Sequence, residues 1–183
     1  MASVNRYRIA AANGTSVFVG DPVVLDNESA VEASQLATFG SNQMDGTRYV
    51  KQGGAGGPWV GVVIGFAYDP TNLTSSYRVA STDRDVYVVD DPFAIFSIQS
   101  DSTGISSANM NMNCSTTAGT GSTTTGLSGF VATAPSSTNT SLPLKIMGYS
   151  EGPKNDITSA AYVNIKVLIN MHQYLTGTSS AGV

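Results

Sequence analysis

Residues 161–172 read AYVNIKVLINMH, and apolar side chains occupy every second position of this stretch. The apolar series consists of Ala161, Val163, Ile165, Val167, Ile169 and Met171. Because successive side chains of a β-strand point to opposite faces, this alternation predicts a strand with one buried face. At helical spacing the same residues would surround the whole circumference, and β-branched side chains also disfavour a helix. The stretch therefore predicts a protein built from sheets.

A second apolar stretch, residues 59–68, reads WVGVVIGFAY. It is apolar on both faces, which is typical of a central strand or of a strand between two layers. Gly61 and Gly65 fall on the same face as Trp59 and Val63 if the strand is regular. Their missing side chains predict that another backbone or a large ring approaches closely there.

Shorter segments extend the same pattern over the rest of the chain. Further strands are predicted at 15–19, 85–89, 93–99 and 144–149, with weaker ones at 22–25, 48–52, 77–80, 109–114 and 127–133. One or two helical turns are predicted at 28–36 alone. Many short strands with Gly and Pro between them predict an all-β fold, a β-barrel or β-sandwich whose strands are mostly antiparallel.

The chain organisation predicted from these segments is one β-rich domain. Its 183 residues can bury a core of their own. The domain is expected to span residues 1–175, with an N-terminal arm over about 1–14, and residues 176–183 form a flexible C-terminal tail. Long Gly/Ser/Thr loops are predicted at 53–58 and 115–126, and a further loop at 135–141. Loops of this length are usually functional or ordered by a partner.

The composition points away from nucleic acid. Charged residues make up 12% of the chain, about half the share in an ordinary domain. Nine basic residues stand against thirteen acidic ones, which gives a net charge of −4. The basic residues are scattered, so no cationic stripe is available to neutralise phosphates, and no direct nucleic-acid binding is expected.

The sequence also predicts a soluble protein that folds in a reducing compartment. A single cysteine, Cys114, cannot form an intrachain disulfide. The first residues lack the apolar segment of a signal peptide. The longest apolar stretch is far below the roughly 20 residues of a membrane-spanning helix, so no membrane association is expected.

The sequence contains no recognisable group of catalytic or metal-binding residues. The one histidine, His172, falls on the polar face of the last predicted strand, and no nucleophile elbow accompanies it. One His and one Cys are too few for a zinc site. Four carboxylates, Asp83, Asp85, Asp90 and Asp91, leave calcium open as an alternative to ordinary turns, although strand geometry separates them. We therefore expect no enzyme, no cofactor and no metal.

Gly119-Thr-Gly121 superficially resembles a phosphate-binding loop. The Lys-Ser/Thr pair that follows such a loop is absent, and the next residues, Ser122 to Thr125, open a helix poorly. The segment is interpreted as a flexible polar loop.

A series of short segments resembles the capsid cement proteins, which decorate and stabilise the heads of tailed bacteriophages. The segments are 7–12, 18–23, 61–68, 88–92, 96–99, 144–149 and 163–172, with the polar loop 118–126 between them. Together they cover most of the chain, and the resemblance lies in their order and spacing. The Gly-rich insert at 53–57 departs from the family pattern.

The resemblance implies a β-rich virion protein without catalytic residues. It is made in the host cytoplasm, docks on the outer surface of the capsid as a homotrimer or homodimer, and bridges neighbouring major capsid protein subunits. The residues expected at subunit or capsid contacts are Arg6, Tyr7, Arg8, Ile9 and Trp59. The loops at 53–57 and 115–126 and the N-terminal segment are expected to become ordered on the shell.

Two other functions remain open. A glycan-binding β-domain of a phage or bacterial surface protein needs an exposed aromatic platform, which Trp59 could form with Tyr68, Tyr77 or Tyr87. A glycosidase would pair Glu28, Glu32 or Glu151 with an aspartate, but none lies in a recognisable frame.

Overall fold

A computed structural model describes residues 2–26, 48–70, 73–135, 141–153, 155 and 161–175. Within these ranges the chain forms eleven strands and one 3-10 turn at Ser107–Asn109, so the all-β prediction is confirmed. The strands are β1 (Val4–Ile9), β2 (Pro22–Leu25), β3 (Arg48–Gln52), β4 (Gly61–Phe66), β5 (Arg84–Val89), β6 (Ile95–Gln99), β7 (Asn113–Cys114), β8 (Thr116–Thr117), β9 (Val131–Ala132), β10 (Leu144–Tyr149) and β11 (Asn164–Ile169).

The first five strands form a closed barrel in the order β1-β3-β2-β4-β5. β1 and β3 run parallel, and the other neighbours are antiparallel. Closure removes the free edges that an open sheet would leave. The interior is filled largely by valines together with Tyr7 and Ile9, side chains that suit a pleated and buried surface.

A second, antiparallel sheet has the order β6-β11-β10-β7. β11, one of its two central strands, has the buried face that the alternation at 161–172 predicted. The side chains concerned are at most 3% exposed and are Val163, Ile165, Val167 and Ile169. A two-stranded sheet of β8 and β9 adjoins it.

The second sheet packs on the outside of the barrel. Its core contains Trp59 and the buried face of β11, and Val24 and Val62 of the barrel strands pack against the same cluster. The backbone N–H of Trp59 donates to Met171 O at 2.9 Å, and Gln173 N–H donates to Trp59 O at 2.8 Å. The chain after β11 is therefore hydrogen-bonded to the chain entering β4.

Most of the remaining strand predictions are confirmed, with small changes at the ends. The segments 15–19 and 77–80 are wrong as strands, since they meet only in isolated bridges such as Val17 with Arg78. The fully buried Arg78 holds the surrounding chain instead, because its guanidinium donates to the carbonyls of Ala10, Thr15 and Thr82.

Within the N-terminal arm predicted over about 1–14, Val4–Ile9 forms a barrel strand. The segment 109–114 reduces to β7 at its end, and 127–133 reduces to β9. The polar tract 115–126 contains the short strand β8. The predicted helical turns at 28–36, most of the 135–141 loop and the tail at 176–183 lie outside the described residues.

Candidate interaction surface

The five residues expected at contacts divide into two groups. Tyr7 and Ile9 are fully buried in the barrel, and Trp59 is 2% exposed. The prediction that these three side chains face a partner is corrected, because each fills a core of its own subunit. Arg6 and Arg8 remain at the surface, where both pair with Asp85 at 2.7 Å.

Trp59 is also too buried to form part of the aromatic platform predicted for glycan binding. Its indole Nε1–H donates to Gly54 O at 2.8 Å. A Cβ atom on Gly53 would lie 2.7 Å from the indole ring, so the Gly-rich insert lets the backbone pass directly over the tryptophan. Tyr77 stacks on Phe18 with ring centroids 4.8 Å apart. Only Tyr68 and Tyr87 of the proposed platform are exposed.

The sequence did not reveal a polar cluster at one end of the barrel. Asp90, 5% exposed, accepts hydrogen bonds from Tyr7 Oη at 2.6 Å and from Asn5 Nδ2 at 2.9 Å. Tyr174 Oη lies 2.7 Å from Tyr7 Oη and also accepts from Arg48. Asn5 and Tyr7 both lie on β1, but Arg48, Asp90 and Tyr174 come from distant parts of the chain, so no local motif predicts the cluster.

The electrostatics of this cluster favour a structural role. Burial and the hydrogen bond to Asp90 raise the pKa of Tyr7 far above its ordinary value, which makes the phenol a weaker acid and keeps it protonated. His172 is 3% exposed, against the prediction of a surface histidine, and burial lowers its pKa. The cluster stabilises one carboxylate and fastens the chain end to the barrel, and it activates no nucleophile.

The carboxylates that the sequence left open as calcium ligands each have partners of their own within the chain. Asp85 pairs with two arginines, Asp83 accepts from Ala11 N–H at 2.7 Å, and Asp91 accepts from Phe93 N–H at 2.9 Å. In the part of the chain that the structure describes, no three His, Cys, Asp or Glu side chains gather as metal ligands. Glu151, considered for glycosidase chemistry, pairs with Lys166 at 2.8 Å.

An apolar cleft of about 440 Å³ lies between the second sheet and the barrel. Its walls include Phe96 and Ile98 of β6, Val62 of β4, Trp59, and the segment 127–131. None of the described residues that line it is charged. A space of this size and lining falls in the range of sites that bind ligands or side chains.

Asp21 lies beside this cleft. Its Oδ2 accepts from Phe18 N–H at 3.0 Å and from Gln52 Nε2 at 2.6 Å, while the buried Oδ1 has no hydrogen-bond partner. Burial raises the pKa of Asp21, although these hydrogen bonds act in the opposite direction.

β6 forms part of the wall of this cleft and, among the described residues, has one strand neighbour in its sheet. Ser100 N–H donates to Val163 O at 2.8 Å, and Asp101 N–H donates to Ala132 O on the opposite side at 2.9 Å. Antiparallel pairing alternates the direction of backbone groups, so those of Phe96 and Ile98 face β11. The backbone groups of Ile95 and Ser97 therefore face the open edge, while the bridge between Ser100 and Ala132 brings β9 alongside Gln99.

The same edge is uncharged and partly apolar. Residues 93–100 contain no charged side chain and no proline. Phe93 is 75% exposed and Ile95 is 59% exposed. Natural edge strands are usually protected by charges, proline or bulges, and β6 has none of these.

Comparison with the models of protein families, with curated proteins and with solved structures finds no match to this chain. Among the described residues, no helix is long and apolar enough to cross a membrane.

Proposed function

We propose that this chain is a non-enzymatic structural protein of a tailed-phage virion. It binds the outer surface of the capsid as a homotrimer or homodimer and stabilises the shell by bridging neighbouring major capsid protein subunits. It is made and assembled in the host cytoplasm, and it uses no cofactor, nucleic acid or membrane. The series of segments that resembles the cement proteins supports the choice of partner.

The observation that carries the proposal is the open edge of β6 beside the apolar cleft. An unprotected edge presents backbone donors and acceptors to a second polypeptide. The exposed rings and alkyl groups of Phe93 and Ile95 extend this surface. Many copies, each with one modest contact of this kind, hold a shell together through their number.

Electrostatics add support for packing against protein. On the exposed barrel face Asp85 pairs with both Arg6 and Arg8, which leaves a single net positive charge there, too little to hold a phosphate backbone. The glycan-binding alternative loses its central residue, because Trp59 is buried.

The test is binding to expanded, empty capsids of the phage that encodes the chain. Purified protein is mixed with capsids at rising ratios, and bound protein is measured after sedimentation. We expect saturation at a fixed number of copies per capsid. Absence of binding to capsids, together with binding on a glycan array, would overturn the proposal.

A further inference from the structure

We propose that the edge of β6 and the adjoining cleft form one binding site for an extended segment of another polypeptide, which adds a strand to the second sheet. The inference rests on the proposed function for the source of that segment, a subunit of the shell. The site itself is defined by two features on the same side of the sheet, open backbone groups and an apolar space.

The backbone groups determine the register. Ile95 and Ser97 direct N–H and C=O groups to the open edge, since the intervening Phe96 and Ile98 bond to β11. At the far end, Asp101 is already bonded to Ala132. Ser100 also forms a parallel bridge with Ala132, so an added strand has about four residues of edge to follow before it meets β9.

The cleft receives the side chains of that strand. Phe96 and Ile98 point from β6 into the cleft, so alternate residues of a neighbouring strand point into it as well. A cavity of about 150 Å³ accepts one benzene-sized group, and the cleft holds about 440 Å³. Its room for about three such groups accommodates the two inward side chains of a four-residue strand.

The lining determines the chemistry of the segment. Because no described residue of the cleft is charged, a charged inward side chain would be buried without a counterion. The inward positions must be apolar. The outward positions lie beside Ile95, Ser97 and Gln99 at the surface, where polar residues are accepted.

Two other occupants fit less of the site. A second copy could align its own β6 with this edge, but its Phe96 and Ile98 already pack against its own core and cannot enter the cleft. A small apolar molecule could fill the cleft and would leave the edge unused. Only a segment that is free of its own sheet uses both features.

The edge is tested with Ser97→Pro, which removes one outward N–H group and leaves the β6–β11 ladder intact. Ser97→Ala is the matched control, because both variants lose the hydroxyl that contacts Ser150 at 2.7 Å and only proline lacks the N–H. The cleft is tested with Val62→Phe, which fills it, against Ile64→Phe at an exposed position of the same strand. Thermal unfolding of all four variants confirms that they are folded.

The probe is a peptide selected from a library of random seven-residue sequences by ribosome display on the full chain, then made synthetically. We expect selected sequences with uncharged apolar residues at alternate positions. Binding should weaken at least tenfold for Ser97→Pro and Val62→Phe, and less than twofold for their controls.

Selection of no such pattern, or equal binding of the selected peptide to Ser97→Pro and Ser97→Ala, overturns the inference. Competition for the cleft by a second copy would appear instead as concentration-dependent dimers that Ser97→Pro abolishes, which also overturns it.

Capsid sedimentation with the same variants separates this inference from the proposed function. Capsid binding that Ser97→Pro reduces at least tenfold supports both. Capsid binding that is equal in Ser97→Pro and Ser97→Ala overturns the strand inference and leaves the proposed function standing. Selected peptides that bind the edge, with no capsid binding by the unmodified protein, give the reverse result.

Discussion

The phenolic hydroxyl group of Tyr7 donates a 2.6 Å hydrogen bond to Asp90 Oδ2, across 83 positions of the chain. Tyr7 lies on β1, Asp90 follows β5, and the two strands are neighbours in the barrel. Tyr174, near the end of the described chain, lies 2.7 Å from the same hydroxyl. The Tyr7 hydroxyl thus joins the first strand, the residue that follows β5 and the chain after β11.

Removing the Tyr7 hydroxyl should destabilise the fold. Hydrogen bonds to charged groups contribute about 1.5–3 kcal/mol, so Tyr7→Phe is expected to lower the free energy of unfolding by that amount in urea. The control is Tyr87→Phe on the exposed side of the barrel, which should change it by less than about 0.5 kcal/mol. Equal effects of the two substitutions would contradict a structural role for the cluster.

The same residue should control stability at high pH. Its pKa is raised in the folded state by burial and by Asp90, from an ordinary value of 10.0. Above this pH the unfolded chain loses the phenol proton and the folded chain retains it, so the contribution to stability is lost as pH rises. We expect unfolding free energies measured between pH 8 and pH 11 to fall more steeply in the native protein than in Tyr7→Phe.

Two glycines on β4 should respond oppositely to alanine. A Cβ atom on Gly61 would lie 2.2 Å from Val89 O, whereas one on Gly65 meets no atom within 4 Å. Gly61→Ala is expected to destabilise the protein by at least about 1–3 kcal/mol through overpacking. Gly65→Ala should be neutral or stabilise it by about 0.4–1 kcal/mol, since it restricts the unfolded chain. Thermal unfolding of both variants tests the difference, and the same sign for both would disprove the bulged register.

His172 should titrate below the ordinary range. Burial lowers its pKa from 6.5, partly offset by Asp90. Because the chain has one histidine, the imidazole signal in proton NMR is unambiguous. We expect a titration midpoint below 6.5. The unfolded chain is protonated first, so this residue contributes a loss of stability as pH falls below 6.5. A midpoint at or above that value would show an exposed imidazole.

Cys114 should be unreactive until the protein unfolds. Burial raises the pKa of its thiol from 9.0 to about 12, which reduces the thiolate fraction roughly a thousandfold at neutral pH. We expect negligible alkylation by iodoacetamide in buffer and complete alkylation in concentrated urea, both followed by mass spectrometry. Rapid labelling without denaturant would contradict the burial of Cys114 in the core of the second sheet.

The strand content of the chain was predictable because alternation is a local property. Val163, Ile165, Val167 and Ile169 have the buried face that their spacing predicted. The alternation fails at His172, because β11 ends at Ile169 and the chain turns to pair with Trp59. Buried and exposed side chains alternate only within a strand, so the pattern does not extend to residues after its end.

The strand β1 was not predicted, although its sequence contains the alternation of a half-buried strand. In residues 6–9 the arginines alternate with Tyr7 and Ile9, which is the pattern of a strand with one buried face. Gly65 illustrates the opposite case. Its predicted close contact is absent because β4 and β5 shift register between Val63 and Gly65, and a bulge reverses the face of every later residue.

The sequence by itself determined an all-β chain, because the alternation of side chains and the Gly and Pro breaks act over a few residues at a time. Only the tertiary structure decided that five strands close into a barrel, that Trp59 lies beneath a second sheet, and that β6 remains an open edge beside a cleft. These features depend on which distant segments pair. Such pairing is a balance of burial and loop closure over the whole chain, and no local pattern specifies it.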